Sequence, residues 1–285
     1  MRGDDLNERL ATGDPVLMPG VWDALSARLA AEAGFDTVFL SGYAVSGTLL
    51  GLPDFGYLTQ GEMAEVARRV CAASPSTMVV VDGDTGYGNP LNVTRTVELW
   101  EAAGAAGIFL EDQVWPKRCG HMAGKQVVPR DEWLAKLRAA VERRTHLHVT
   151  ARTDARAAVG LDEALSRAKA AADVGVDAVF VEAPESIDEL EAIAAAVPGV
   201  LVANMVETGK TPLLTPSELH DLGFDLIVSP LSGLLSATKA LRDSLALLRA
   251  KGTLRDDLDR LVDFEAFGAI VDLPGHFALD EKYRA

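Results

Sequence analysis

Asp173-Val174-Gly175-Val176-Asp177-Ala178-Val179-Phe180-Val181 ends a helical stretch on a glycine and passes at once into a short apolar run. Glycine supplies the left-handed position that terminates a helix, and the run behind it reads as a strand buried on both faces. The same order recurs at Glu32-Ala33-Gly34-Phe35-Asp36-Thr37-Val38-Phe39-Leu40, at Ala102-Ala103-Gly104-Ala105-Ala106-Gly107-Ile108-Phe109-Leu110 and at Asp221-Leu222-Gly223-Phe224-Asp225-Leu226-Ile227-Val228-Ser229. Further strand candidates at 16–19, 77–82, 147–152 and 200–205 bring the number to eight, starting near 16, 37, 77, 107, 147, 178, 200 and 226. Amphipathic helical stretches, such as 61–72, 91–104, 130–144, 161–174, 186–197 and 215–222, separate them. Strands apolar on both faces that alternate with helices indicate a parallel sheet. Eight such units predict an α/β fold of the (β/α)8 TIM-barrel type, with a doubly wound sheet as the alternative. No linker or composition shift divides the chain, so 1–285 is expected to form a single barrel domain. Its C-terminal helical segment, 232–285, turns near Lys251-Gly252-Thr253 and is the piece expected to pack on a neighbouring subunit.

Charge narrows the partners. The 285 residues carry 27 basic and 42 acidic side chains, a formal charge of −15, and no basic run, which excludes a nucleic-acid binder. No apolar stretch approaches the roughly 18–20 residues of a membrane span, and Met1-Arg2-Gly3-Asp4-Asp5 opens on acids, unlike a signal peptide. Two cysteines, Cys71 and Cys119, make no disulfide framework and point to a reducing cytoplasm. So negative a surface repels small anions, and an acidic substrate needs a local cationic pocket or a metal.

Polar residues gather where a barrel builds its active site, at the C-terminal strand ends: Ser41-Gly42, Asp82 and Asp84, Glu111-Asp112, Arg152 and Asp154, Glu182, Asn204 and Ser229. Two connections, 41–60 and 111–130, are long enough to read as functional loops. In Val79-Val80-Val81-Asp82-Gly83-Asp84-Thr85-Gly86-Tyr87-Gly88-Asn89, two aspartates two apart at a strand end point the same way and repel unless a cation lies between them. Glu111 and Asp54 can join them, and an all-oxygen set suits Mg²⁺ rather than zinc. The alternative is a pair of aspartates capping a glycine turn. Gly86-Tyr87-Gly88 lacks the rest of a phosphate-binding fingerprint.

The second run is Glu111-Asp112-Gln113-Val114-Trp115-Pro116-Lys117-Arg118-Cys119-Gly120-His121-Met122-Ala123-Gly124-Lys125. Cys119 stands among Lys117, Arg118, His121 and Lys125, and cationic neighbours lower a thiol's pKa and fit it for acid or base work. Gly120 and Gly124 read as hinges of a lid. One cysteine with no second Cys/His pair does not make a zinc site, and Cys71 reads as core.

The run Val81–Asn89 and Glu111-Asp112-Gln113 with Lys117-Arg118-Cys119-Gly120-His121 resemble the isocitrate lyase/phosphoenolpyruvate mutase superfamily, in particular its short 2-methylisocitrate lyase and dimethylmalate lyase-like members. Pro19-Gly20-Val21-Trp22-Asp23, Leu50-Gly51-Leu52-Pro53-Asp54, Ala151-Arg152-Thr153-Asp154-Ala155 and Gly209-Lys210-Thr211-Pro212 extend the likeness over about 17–270. The resemblance implies a lyase that breaks a C–C bond of a small anionic 2-hydroxy acid through an enolate. It implies Mg²⁺, with Mn²⁺ as a substitute, and homotetramers that exchange a C-terminal helix. By the same likeness Asp82 contacts the metal, with Asp54, Asp84 and Glu111 holding its waters. Ser41, Gly42 and Tyr43 cradle the 2-oxo acid unit through backbone donors, and Lys117, Arg118 and Gly120 belong to the substrate-binding loop. Arg152 binds the shared carboxylate, Glu182 and Asn204 position the departing half, and Cys119 protonates it beside His121. Met122-Ala123-Gly124-Lys125 departs from the 2-methylisocitrate lyase pattern, and Val206-Glu207-Thr208-Gly209-Lys210 is closer to the dimethylmalate lyase and carboxyphosphonoenolpyruvate mutase types. A phosphonomutase-type P–C enzyme and an oxaloacetate hydrolase or decarboxylase therefore remain alternatives.

Overall fold

In the computed structural model, which describes residues 3–118 and 124–284, the strands are Val16–Val21 (β1), Thr37–Leu40 (β2), Met78–Asp82 (β3), Gly107–Glu111 (β4), His148–Thr153 (β5), Ala178–Val181 (β6), Val200–Asn204 (β7) and Leu226–Ser229 (β8). They pair in parallel in chain order, and β8 closes on β1 with Val16 opposite Leu226 and Met18 opposite Val228. A closed barrel excludes the doubly wound alternative. Helices Gly3–Leu10 (α1), Ala24–Glu32 (α2), Gly42–Val45 (α3), Gln60–Ala73 (α4), Pro90–Ala103 (α5) and Arg130–Arg143 (α6) occupy the first half. Ala155–Ala158 (α7), Leu161–Val174 (α8), Ile187–Ala196 (α9), Pro216–Asp221 (α10), Ser232–Lys251 (α11), Phe264–Ile270 (α12) and Leu273–Tyr283 (α13) follow. Helix ends have local causes. Asn89 accepts from the amides of Leu91 and Asn92 ahead of Pro90, and Gly104 and Gly175 end α5 and α8 in the left-handed conformation.

The two-residue period of a strand sorts the core. Met78 and Val80 of β3, Phe109 of β4, Phe180 of β6 and Val202 of β7 point into the barrel. Their neighbours Val79, Val81, Ile108 and Leu110 point outward against the helices. Inside, Phe109 stacks between Phe39 and Phe180, at ring-centroid distances of 4.9 and 5.9 Å.

Two features lie outside the repeat. α1, not expected from the sequence, packs against the starts of β3 and β5 and buries Leu6 fully. The long connection after β2 is also not an open loop, because α3 runs directly into a π-helical turn, Ser46–Leu50. After the barrel, Gly252 ends α11 in the expected turn. The C-terminal helices leave Leu241, Leu245, Phe264, Phe277 and Tyr283 exposed. Among the described residues no helix is long and apolar enough to cross a membrane.

At the start of β5, the fully enclosed His148 donates from its Nδ1–H to Asn7 Oδ1 (2.8 Å). Burial pushes its imidazole from 6.5 down to about 4, against the pull of Asp177. The unfolded chain takes up this proton near pH 6.5 and the folded chain does not, so stability is lost as pH falls from about 6.5 to about 4, by up to ~3 kcal/mol. Urea midpoints of wild type and His148→Asn at about pH 7.5 and about pH 5 measure this. The variant should lose less stability than wild type on acidification, and an equal loss would show that the imidazole contributes nothing.

Candidate active site

Strand parity carried one step beyond the core layers gives the site. The inward residues at or just past the strand ends are Ser41, Asp82, Glu111, Arg152, Glu182, Asn204 and Pro230. All but Glu111 line one pocket with Tyr43, Asp54, Val206 and Leu231, over the floor of Phe39, Phe109 and Phe180. Glu111 stands at its edge, with Oε2 3.3 Å from Arg152 Nη1. That floor and the apolar wall of Val206, Pro230 and Leu231 were not read from the sequence, although parity would have found all but Leu231.

Asp82 ends β3, but Asp84 does not follow it along the strand. It sits in a tight turn with φ 46°, and Tyr87 has φ 59°, a left-handed region that few residues other than glycine enter. The turn is held by Asp84 N–H donating to Asp82 Oδ1 (3.0 Å), Glu111 N–H to Asp84 O (2.9 Å) and Lys136 Nζ to Thr85 O (3.3 Å). Asp82 is thus both the cap of a turn and a wall of the pocket.

The cation between Asp54 and Asp84 is the ammonium of Lys117, 2.6 Å from an oxygen of each. Asp82 and Glu111 also lie within its field, and it is held well above its ordinary pKa against the cost of burial. Lys117 is thus paired with two buried carboxylates, and Lys125 lies 2.7 Å from Asp154. Cys119, Gly120 and His121 lie outside the described residues. Just before them, the Gln113 side chain accepts from Arg118 N–H (3.0 Å) and donates to Arg118 O (2.8 Å).

One ammonium does not balance this cluster. Burial pushes the Asp84 carboxyl up to about 7 despite Lys117, with Asp82 and Asp54 adding to the rise. Burial also raises Glu111 well above its ordinary value against the pull of Arg152, and Glu111 Oε1 is buried without a hydrogen-bond partner among the described residues. No three carboxylate, histidine or cysteine groups among the described residues converge as a ready-made metal cage. The donor set is nevertheless hard, all-oxygen and short of positive charge, which fits Mg²⁺.

Gly42 explains how close the first loop comes. Its N–H donates to Asp82 Oδ2 (3.3 Å), and a Cβ here would lie 2.9 Å from the same oxygen. On the opposite side Arg152 faces Asp154, Glu111 and Glu182 and lies 5.5 Å over the Phe180 ring. Asn204 Nδ2 lies 3.4 Å from both oxygens of the fully buried Glu182. Asp112, next to Glu111 but of opposite parity, turns away and binds Thr153, the Asp154 amide and Arg167.

Residues 6–249 match the profile of the phosphoenolpyruvate phosphomutase family. The chain belongs to the phosphoenolpyruvate mutase/isocitrate lyase superfamily. It is thus an enzyme of a lyase and mutase superfamily. It is 49% identical over 271 residues to the petal death protein of Dianthus caryophyllus, covering 94% of this chain and 85% of that one. It is 42% identical over 280 residues to 2,3-dimethylmalate lyase of Eubacterium barkeri, covering 98% and 96%. Among solved structures, oxaloacetate acetylhydrolase in complex with the inhibitor 3,3-difluorooxalacetate superposes with a TM-score of 0.93 at 35% identity, over 98% of this chain and 96% of that one. Phosphonopyruvate hydrolase in complex with oxalate and Mg²⁺ superposes with a TM-score of 0.90 at 28% identity, over the whole of both chains.

Gly42→Ala tests the carboxylate end of the superfamily member's pocket. The new methyl displaces Asp82 and removes no side chain of its own, so turnover should fall at least about tenfold with the fold retained. Calorimetric titration with Mg²⁺ should show weakened binding, and unchanged Mg²⁺ affinity would exclude Asp82 from the metal's ligands.

Proposed function

We propose that the chain is a Mg²⁺-dependent carbon–carbon lyase that cleaves a 2-hydroxy di- or tricarboxylate, of the 2-methylisocitrate or dimethylmalate type, into a 2-oxo acid and a carboxylate. The observation that carries this reading is one pocket with an all-oxygen acidic end, Asp54 and Asp82, and a guanidinium, Arg152, across an aromatic floor. Asp82 would hold Mg²⁺ directly, and Asp54, Asp84 and Glu111 its waters, with Mn²⁺ as a substitute. When bound, the ion supplies Lewis-acid stabilisation for the carbonyl that develops on cleavage.

The chain's own residues do the rest. Arg152 binds the carboxylate beside the hydroxyl-bearing carbon, and Ser41, Gly42 and Tyr43 enclose that end. Lys117, through the carboxylates that it bridges, and Arg118 and Gly120 complete the binding loop. A carboxylate of the acidic end takes the hydroxyl proton, the hydroxyl-bearing carbon becomes the carbonyl of the 2-oxo acid, and the electron pair of the broken C–C bond goes to the departing half as an enediolate. Glu182 and Asn204 hold that half, and the Cys119 thiol, oriented by His121, delivers the proton to its carbon. The aromatic floor keeps water from the carbanion and strengthens each charge interaction. The same reading includes a cytoplasmic homotetramer, with the exposed apolar side chains of α11 to α13 as its support for association.

A second reading, oxaloacetate hydrolysis or decarboxylation, is favoured by the likeness to oxaloacetate acetylhydrolase, and phosphonomutase-type P–C chemistry uses the same platform. Product analysis over a panel of 2-hydroxy acids, oxaloacetate and phosphonopyruvate separates the three. Cys119→Ser replaces a thiol of pKa ~8.5 or less by a far weaker acid. With a 2-hydroxy acid it should lose about 10²–10⁴-fold in kcat while KM stays near that of wild type. Near-normal turnover by Cys119→Ser would remove the thiol from the lyase mechanism.

A further inference from the structure

Arg152 is the cation assigned to the substrate carboxylate, yet acids surround it. Its Nε and Nη2 donate to Asp154 Oδ2 (3.0 Å) and Oδ1 (3.1 Å), Nη1 lies 3.3 Å from Glu111, and Nε lies 3.6 Å from Glu182. One guanidinium facing three carboxylates offers an arriving anion a net negative field. Lys125 offsets one of these charges, that of Asp154, so that Arg152, Asp154 and Lys125 together carry one net positive charge. Its ammonium lies 2.7 Å from Asp154 Oδ1, with the side chain 1% exposed. Asp154 is itself fully buried and anchored from behind, since its N–H donates to Asp112 Oδ1 (2.8 Å) and Asp112 also accepts from Thr153 Oγ1 (2.6 Å) and Arg167 Nη1 (3.1 Å).

We infer that Asp154 is a positioning residue that fixes the plane of Arg152, and that Lys125 is the counter-charge that keeps this pair cationic toward a substrate carboxylate. The side-on, two-point contact holds Nε and Nη2, so the guanidinium cannot turn without breaking both hydrogen bonds, and Nη1, 3.3 Å from Glu111, is the nitrogen not bound to Asp154. Phe180 below the plane limits tilting. Asp154 alone would cancel the charge that it aims. Lys125 removes that conflict, and against the cost of burial the two cations hold the Asp154 carboxyl down at about 2. Orientation and charge are thus assigned to different residues. The inference rests on Arg152 being the carboxylate anchor of the proposed function.

Lys125→Gln deletes the charge and keeps a hydrogen-bond donor one bond shorter, while Lys125→Arg restores the charge. The probe is oxalate, titrated calorimetrically in the presence of Mg²⁺, beside steady-state kinetics on whichever acid the product panel identifies. Lys125→Gln should weaken oxalate about ten- to hundredfold, the effect of one unit charge several ångströms away in a site of intermediate dielectric. KM should rise by a similar factor with kcat little changed, and Lys125→Arg should return affinity to within about threefold of wild type. Asp154→Asn should show the opposite split, with oxalate held at least as tightly and kcat reduced at least about tenfold because the aim is lost. A folded Lys125→Gln that binds oxalate as wild type does overturns the inference, as does loss of oxalate binding in Asp154→Asn. If either variant fails to fold, the other decides alone. The lyase reading fails separately: a wild type that cleaves no 2-hydroxy acid, yet whose oxalate affinity depends on residue 125 in this way, removes the reaction and leaves the anchor.

Discussion

Eight parallel strands close on one another only if each fills the interior with one set of side chains and meets the helices with the other. That alternation of inside and outside is the constraint from which the rest of this molecule follows. It forces aromatic and branched residues into the lumen, with Phe39, Phe109 and Phe180 in contact. It also leaves the last inward residue of each strand with nothing stacked above it. Ser41, Asp82, Glu111, Arg152, Glu182 and Asn204 occupy those places. They form a ring because the barrel is a ring, and they are held rigidly because each stands on a strand paired on both sides.

A ring so rich in carboxylates cannot be neutral by itself. Asp54, Asp82, Asp84, Glu111, Asp112, Asp154 and Glu182 are all buried, and the cations set among them are Lys117, Lys125, Arg152 and Arg167. The cations are not spread evenly. Lys125 and Arg152 converge on Asp154 and hold its carboxyl low, whereas the single Lys117 leaves Asp84 and Glu111 raised. On the proposed reading this polarises the pocket, with one end for the metal and the other for a substrate carboxylate. A substrate bearing both a carboxylate and a metal-chelating oxygen pair matches this axis in one orientation.

The fold was almost wholly legible in the sequence, because its signals are local. A helix-ending glycine before an apolar run placed β2, β4, β6 and β8, and apolar runs alone placed the other four, each starting within a residue of its position in the structure. The barrel's closing helix α1 was not legible: Leu6 and Asn7 acquire their meaning from β3 and β5, far along the chain. The site divided in the same way. Strand-end residues were legible from position, and the motif around Asp82 from spacing. The destination of Lys117 was not, since nothing in its neighbourhood says that it crosses to Asp54 and Asp84 from a different loop. Asp154 was noted as a strand-end acid, but its partnership with Lys125 joins residues 29 positions apart and depends on the path of the chain between them.

The separation between the layers that close the barrel and the ring that crowns it has a consequence for descent. A substitution at Val206, Pro230 or Leu231 reshapes the pocket wall without entering the lumen packing of Met18, Val80 or Val202. A gene for this architecture can therefore drift from one reaction to another through a few codons while every intermediate still encodes a closed barrel.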